Sequence, residues 1–278
     1  MEFKTAMKER IEKLNVFLED YIDSLNVAED GLKDALKYTL LAPCKRLRGL
    51  LMLCFYEFFG GQGEAVYNFA AAIEMVQAYS LIHDDLPCMD NSSERRGRVS
   101  SHLKFGEDIA LLAGDALLTN AFEIASKEEV LKLENTIRCI NILSRQAGAE
   151  GMIRGQYIDL KVKTKNFEKE KLFNLYRLKT GALFLAACEI GALLAGADEE
   201  SLKSVKEYAS KFGMSFQMID DVLDEDFMLS DLIDGISVKD TIFKFLNECR
   251  NSVRKLKGDG FMLEGLVDFI QEKLHCEN

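Results

Sequence analysis

The sequence predicts an all-α fold, built as an array of about ten or more helices. Apolar residues recur at spacings of three and four along most of the chain, whereas alternating strand patterns are nearly absent. The 278 residues include only two prolines, Pro43 and Pro87, so long helices are permitted almost everywhere. No Pro- or Ser-rich linker divides the sequence, and we therefore expect residues 1–278 to form a single domain.

The predicted helices follow one another along the whole chain. The first covers 7–24, where Met7, Ile11 and Leu14 fall on one face. A helix over 64–85 has few charges on any side, which is typical of a helix buried among others. The same periodicity predicts helices at 45–59, 107–126, 128–147, 149–162, 168–195, 199–225, 237–257 and 261–275. The apolar surface left over by so many helices favours the pairing of subunits, so a homodimer is expected.

Composition excludes several classes of function. A net charge of −11 argues against nonspecific binding to nucleic acid, but bound metals and local cations still allow an anionic substrate. Seven cysteines without a CxxC spacing favour a cytoplasmic protein that has neither a disulfide framework nor a zinc site. The N-terminal residues do not resemble a secretory signal. No apolar run approaches the roughly 20 residues of a membrane span.

A first acidic cluster, Asp84, Asp85 and Asp90, lies at the end of the predicted helix over 64–85. Pro87 disfavours helix and should bend the chain, which would bring Asp90 back towards Asp84. Carboxylates placed in this way suit Mg²⁺, which takes one or two of them together with substrate phosphates. Taken alone, such a run is more often a helix end exposed to solvent.

A second acidic cluster, Asp220, Asp221 and Asp224, ends the predicted helix over 199–225. Asp220 and Asp224 are four residues apart, so a helix places them on one face, where they repel each other unless a cation lies between them. The alternative is again an acidic helix end in solvent. We expect the two clusters to face one cavity.

Basic residues occur in three groups, each of which would alone be read as a solvated face. Arginine binds phosphate oxygens in a bidentate manner, whereas lysine acts as a point charge, so such groups suit a diphosphate. Gly181 follows one group within a helix, where glycine often marks close packing or a kink. The groups are Lys45 with Arg48, Arg95 with Arg96, and Lys179 with Thr180.

These motifs together resemble the trans-prenyltransferases, the all-helical isoprenyl diphosphate synthases, and the Pro87-Cys88 insertion is similar to bacterial farnesyl diphosphate synthases. The resemblance extends from about residue 42 to residue 224. Besides the acidic clusters it includes the stretch from His102 to Phe122. The remaining matches are Pro43 to Gly49, Gly148, Gly151-Met152, Gly155-Gln156, Asp159-Leu160, Lys179 to Gly181, and Phe216-Gln217.

The resemblance implies a fold around a central cavity and a condensation of isopentenyl diphosphate with an allylic diphosphate. About three Mg²⁺ ions are implied, with Mn²⁺ as a substitute; the implied ligands are Asp84, Asp90, Asp220 and Asp224. The implied catalytic residues are Asp84, Asp85, Asp90, Lys179, Asp220 and Asp221. The allylic diphosphate would meet Arg95, Lys179, Thr180, Gln217 and Lys239. Isopentenyl diphosphate would meet Lys45, Arg48, Gln77 and Arg96.

Product length is expected to follow the depth of the cavity. The resemblance implies that Tyr79, five residues before Asp84, forms its floor and limits the product to farnesyl diphosphate. Ideal helix geometry instead places Ser80 on the face of Asp84, so both residues are chain-length candidates.

The chain departs from the family pattern at several points. Cys44 and Gly49 replace the usual Gly and Pro, and Gln77 stands where many relatives have His. Ser92-Ser93 replace acidic residues. The largest departure is a shortened, acidic and apolar segment after Asp224, where relatives have a lid with two lysines, and Lys239 is the candidate to replace one of them.

Other functions are compatible with the same residues. A geranylgeranyl or longer-chain synthase would differ only in product, and a noncatalytic synthase subunit would explain the short lid. A terpene cyclase would not need Lys45, Arg48 and Arg96 as a second diphosphate site. A redox-metal bundle is disfavoured because the three His residues are scattered along the chain.

Overall fold

The computed structural model describes residues 2–27, 29–127, 133–162, 169–224 and 237–275. These residues are almost entirely helical, which confirms the predicted all-α class. The chain forms two compact units. The first consists of Met1–Leu53 and Gly63–Ile140, and the second of Cys54–Gln62 and Asn141–Asn278.

The first unit contains the N-terminal helices and the first acidic cluster. Its chain passes into the second unit within α3 and again within α7. Its elements in chain order are α1 Phe3–Ser24, α2 Asp30–Leu40, the start of α3 Leu47–Phe58, α4 Ala65–Asp84, β1 Glu94–Arg95, β2 Arg98–Val99, α5 Ser101–Phe105, α6 Glu107–Ser126 and the start of α7 Leu133–Ala147.

Helix α4 forms the core of the first unit. Most of its residues from Val66 to Ile82 are buried, as expected for a helix that is apolar all round. It packs along α6, and Gly114 of α6 makes this close approach possible because a Cβ there would overlap the imidazole of His83. His83 Nε2 lies 3.1 Å from the carbonyl oxygen of Leu111, so the end of α4 is fixed to α6.

Helix α6 is buried on one side only. Leu111 is 45% exposed and Leu112 is 53% exposed. By length and composition this helix could also cross a membrane, a property that core helices of soluble proteins share. The predicted absence of a membrane span therefore stays a prediction.

The strands β1 and β2 form an antiparallel hairpin in which Arg95 pairs with Arg98. The two residues between the strands, Arg96 and Gly97, both have positive φ, 55° and 71°, as the tightest hairpin turns require. Strands of two residues are too short for a periodic signal, which is why the sequence did not reveal them.

The second unit contains the second acidic cluster and the C-terminal helices. Its core is aromatic around Tyr208, whose hydroxyl donates to the carbonyl oxygen of Leu263 at 2.9 Å. Besides the remainders of α3 and α7, its elements are α8 Met152–Val162, α9 Lys169–Tyr176, a π-helical turn Arg177–Gly181, α10 Ala182–Leu194, α11 Glu199–Leu223, α12 Val238–Arg254, α13 Phe261–Glu272 and a 3₁₀ turn Lys273–His275.

Most predicted helices occur within a few residues of their predicted ends. The periodicity of the sequence does not predict α2, α5 or the π-helical turn that interrupts the helix predicted over 168–195. The first helix, predicted from residue 7, begins at Phe3. No disulfide joins any of the six cysteines that the structure describes, which are all except Cys276.

Candidate functional site

The first acidic cluster lies where α4 ends. Asp84 is the last residue of α4, and the chain turns back through Pro87 so that the backbone N–H of Asp90 donates to the carbonyl oxygen of Asp84 at 2.9 Å. This confirms the predicted bend, which an unbroken helix would not allow because positions six apart point to different sides.

The carboxylate of Asp85 is directed away from solvent and holds Arg95. Asp85 is 2% exposed, and Nε of Arg95 lies 3.1 and 3.2 Å from its two oxygens, while Nη2 lies 2.5 Å from Oδ1. This hydrogen bond raises the pKa of Arg95, and the nearby carboxylates of Asp84 and Asp90 raise it further. The Asp85 carboxylate therefore holds the guanidinium of Arg95 in place.

The donor chemistry at Asp84 and Asp90 fits Mg²⁺. Both supply carboxylate oxygens, the ligand type that this hard cation prefers. Among the described residues no group of three or more His, Cys, Asp or Glu side chains is arranged to hold a metal ion by itself. A Mg²⁺ ion bound through one or two carboxylates and substrate phosphates does not need such a cluster.

Positive charge surrounds a small recess beside the hairpin. Arg96 and Arg98 line it together with Arg95, and Nη1 of Arg96 lies 3.5 Å from the carbonyl oxygen of Thr39. The Oγ atoms of Ser100 and Ser101 are buried there, and neither has a hydrogen-bond partner within the described structure. The recess therefore combines positive charge with two hydroxyl groups that can donate hydrogen bonds.

The other predicted cations of the first unit lie around the start of α3. Lys45 is exposed in the segment before the helix, and Arg48 is half-buried in its first turn. Gln77 is half-buried on α4. All three keep part of their surface accessible, as residues that bind a substrate must.

Tyr79 is buried in the last turns of α4. It is 6% exposed, its ring lies edge-on to His83 at 5.7 Å, and its hydroxyl has no hydrogen-bond partner within the described part of the chain. Burial, followed by the charge of Asp84, raises the pKa of Tyr79 to about 12. Ser80 is half-buried, and its hydroxyl donates to the carbonyl oxygen of Gln77 at 3.0 Å.

The second acidic cluster ends α11. The backbone N–H of Asp224 donates to the carbonyl oxygen of Asp220 at 2.9 Å, and the Asp224 side chain is exposed. Lys273 Nζ lies 3.0 Å from Oδ1 of Asp220 and 4.7 Å from the ring centroid of Phe216. Lys273 is not predictable from the sequence, because no spacing rule connects a C-terminal lysine with a motif 53 residues earlier.

Asp221 belongs to a chain of side-chain hydrogen bonds. It accepts from the hydroxyl of Tyr176 and, at 2.7 Å, from Nε2 of Gln217. Thr180 in turn donates its hydroxyl to Oε1 of Gln217. The structure thus brings together three predicted site residues, Asp221, Gln217 and Thr180, and adds Tyr176, which the sequence analysis had not assigned.

Lys179 lies in the π-helical turn and pairs with Asp159 of α8 at 2.5 Å. Helix α8 approaches this turn closely, since a Cβ on Gly155 would overlap the backbone of Lys179. At Gly181 an added Cβ would only reach the carbonyl oxygen of Tyr176 at 3.4 Å, an ordinary contact. Close packing is therefore found at Gly155 and also at Gly181, because a Cβ on Gly213 of α11 would lie 2.9 Å from the Cα of Gly181. Single π-helical turns are frequent at functional sites.

Lys239 is exposed in the first turn of α12. The shortened segment at 225–236, to which the sequence analysis assigned the lid, lies outside the described residues.

A family model described as Polyprenyl synthetase matches residues 29–227, well over half of the chain. The chain belongs to the polyprenyl synthetase family. The farnesyl diphosphate synthase of Haemophilus influenzae is 38% identical over 224 residues, which cover 80% of this chain and 76% of that protein. Membership of the family was predicted from the motifs alone and is confirmed.

Two further relatives extend the comparison. Geranylgeranyl pyrophosphate synthase 9 (chloroplastic) of Arabidopsis thaliana is 39% identical over 228 residues; the match covers 80% of this chain but only 63% of the plant protein. The crystal structure of a geranyltransferase from Legionella pneumophila has a TM-score of 0.94 and 27% identity, and covers 99% of this chain and 98% of that one. The polyprenyl synthetase fold is thus present over nearly the whole chain.

Proposed function

We propose that the protein is a prenyl diphosphate synthase that condenses isopentenyl diphosphate with dimethylallyl or geranyl diphosphate to give farnesyl diphosphate. The observation that carries this proposal is the turn that returns Asp90 to Asp84 while Asp85 holds Arg95 beside it. Two carboxylates for a cation and an arginine fork for phosphate oxygens match an allylic diphosphate bound with Mg²⁺.

In this proposal both acidic clusters would hold Mg²⁺. Asp84 and Asp90 would do so in the first unit, and Asp220 and Asp224 in the second. When bound, Mg²⁺ stabilises the negative charge of the departing diphosphate as a Lewis acid.

The basic residues and Gln77 divide between the two substrates. Arg95, Lys179 and Lys239 bind oxygens of the allylic diphosphate, whereas Lys45, Arg48, Gln77 and Arg96 bind isopentenyl diphosphate. Gln217 also meets the allylic diphosphate, with Thr180 close by, and their mutual hydrogen bond fixes the orientation of both side chains. The apolar side chains exclude water, which would otherwise trap the allylic cation as an alcohol.

Farnesyl diphosphate is proposed as the product because Tyr79 places a large ring in α4 near the end that bears Asp84. The alternative is geranylgeranyl diphosphate or a longer product. It is favoured by relatives with those names at identities similar to those of farnesyl diphosphate synthases.

We further propose that residues 1–278 act as one cytoplasmic prenyltransferase domain and that two copies pair through α6. Leu111 and Leu112 are exposed on this helix, and Leu103 of the preceding α5 is 57% exposed. The stretch 109–114 carries no charge. A symmetric pair places the same surface of each copy against the other, so Leu111 and Leu112 would be buried against their counterparts.

One assay tests the proposed reaction. Purified protein is incubated with Mg²⁺, isopentenyl diphosphate and either dimethylallyl or geranyl diphosphate, and the products are sized by chromatography. A C15 product that is lost on chelation of the metal, and is restored by Mg²⁺ or Mn²⁺, supports the proposal. If no product forms with either allylic substrate, the catalytic function is wrong and the noncatalytic subunit becomes the better interpretation.

A further inference from the structure

Arg46 lies between the two cations proposed to bind isopentenyl diphosphate, but its side chain is turned inward. It is 4% exposed. Nε donates to Oδ1 of Asn15 at 2.9 Å, Nη1 to Oε2 of Glu74 at 3.3 Å, and Nη2 to the carbonyl oxygen of Leu40. The guanidinium is thus held by three acceptors, each from a different helix.

Glu74 is the buried counter-ion of Arg46 and is itself 3% exposed. Its second oxygen, Oε1, accepts the backbone N–H of Gly49 at 2.9 Å. This N–H lies in the first turn of α3, where helical N–H groups have no partner within the helix and where a negative charge is stabilising. One carboxylate of α4 therefore fixes both the segment before α3 and the start of α3.

Gly49 completes this arrangement. A Cβ at this position would lie 2.5 Å from Cδ2 of Leu14 and 3.2 Å from Cγ of Glu74, so a larger residue must displace one of them. A proline would in addition lack the N–H that Glu74 accepts. The departure from the family pattern at Gly49 therefore supplies a hydrogen bond to the buried carboxylate.

The backbone at Arg46 is also unusual. Its φ of 46° lies in the left-handed region, which non-glycine residues rarely adopt, and its carbonyl oxygen accepts the N–H of Leu50 at 2.8 Å as α3 begins. Such a conformation persists only where the surroundings enforce it, and it is typical of functional sites. Here it leaves Lys45 exposed while Arg46 points into the core.

We infer that Arg46 and Glu74 are positioning residues that fix Lys45 and Arg48 for the diphosphate of isopentenyl diphosphate. This inference rests on the proposed function. Lys45 and Arg48 repel each other, and a flexible segment would separate them; the buried pair holds both ends of the segment in place. Gln77 follows Glu74 by three residues and therefore lies on the same side of α4, next to the segment that Glu74 fixes.

The test compares the effect of each variant on the KM values of the two substrates. Glu74→Gln keeps the size of the side chain but removes its charge, and Arg46→Lys keeps the charge but cannot reach three acceptors at once. We expect each variant to raise KM for isopentenyl diphosphate by roughly tenfold or more, with a change of less than about twofold for the allylic substrate. Titration calorimetry with isopentenyl diphosphate alone, without metal or allylic substrate, should show the same loss of affinity.

Two further variants guard against a purely structural effect. Asn15→Ala removes one acceptor from a half-buried position, so it should fold and weaken isopentenyl diphosphate binding to a smaller extent. Leu117→Ala, in the buried core of α6, should lower the melting temperature without changing the ratio of the two KM values. Equal changes in both KM values, or unchanged binding in Asn15→Ala and Glu74→Gln, would overturn the inference. If the wild-type protein is inactive but binds isopentenyl diphosphate, and the variants do not bind it, only the proposed reaction is contradicted.

Discussion

Asp85 and Arg95 form a two-pronged ion pair in which the carboxylate is almost fully buried and the guanidinium is about one-third exposed. The second aspartate of the acidic motif thus orients the neighbouring arginine. An arginine that is already oriented loses less conformational entropy when it binds phosphate oxygens. If the proposed function holds, Asp85 would favour binding of the allylic diphosphate without contacting it.

Asp85→Asn should lower kcat/KM for the allylic substrate by about tenfold or more, because hydrogen bonds to charged groups contribute about 1.5–3 kcal/mol. KM for isopentenyl diphosphate should change little. Steady-state kinetics with each substrate varied in turn provides the measurement, and Asp108→Asn, at an exposed position in the first turn of α6, is the control. A variant whose kinetics match those of the control would show that Arg95 does not depend on Asp85.

Tyr79→Ala should lengthen the product beyond C15, because it removes a large ring near the end of α4. Product chromatography checks this, with Tyr56→Ala as a control for the loss of a buried tyrosine elsewhere. If Tyr79→Ala still gives only C15, Tyr79 does not set the chain length.

Tyr79→Phe should keep the product length and leave the free energy of unfolding unchanged or raise it, because the hydroxyl has no partner to lose. The pKa of Tyr79 is raised from 10.0 to about 12, so the unfolded chain releases this proton first as pH rises. The wild type should lose stability between about pH 10 and 12 through this group, and Tyr79→Phe should not. Urea unfolding at several alkaline pH values tests the difference, and parallel losses in both proteins would contradict it.

Lys273→Met should strengthen the binding of a divalent cation in the absence of substrate, since a metal at Asp220 must displace the ammonium group. A gain of up to about fivefold is expected from the modest strength of partly exposed ion pairs. Binding of Mn²⁺ followed by electron paramagnetic resonance gives the affinity. The control is Lys203→Met, which breaks a surface pair with Glu200. Weaker binding in Lys273→Met than in the control would show that Lys273 does not compete with the metal.

Gly155→Ala should destabilise the protein by about 1–3 kcal/mol, because the added methyl group must push α8 away from the π-helical turn. Activity should fall as well, since the displacement breaks the pair between Asp159 and Lys179. Gly181→Ala is the matched control: its Cβ makes only an ordinary contact, and its stability should equal or exceed that of the wild type. Chemical denaturation measures both, and equal stabilities would contradict the close approach at Gly155.

Leu112→Glu should convert a homodimer into a monomer, because it places like charges against each other across a symmetric contact. Analytical ultracentrifugation measures the mass. Val16→Glu, at a comparably exposed apolar position on α1, should leave the oligomer intact. A Leu112→Glu protein that stays dimeric would exclude α6 as the interface.

The sequence by itself determined the helical class, most helix positions and the membership of the family. These depend on the periodic spacing of apolar residues and on local motifs, which can be read from residues close together in the chain. It also predicted the return of Asp90 to Asp84, since Pro87 acts on its immediate neighbours. Only the tertiary structure decided the partners of buried charges. Asp85 holds Arg95, Glu74 holds both Arg46 and Gly49, and Lys273 lies on Asp220. These pairings depend on which segments meet when the helices pack, and the local spacing of residues carries no signal of them.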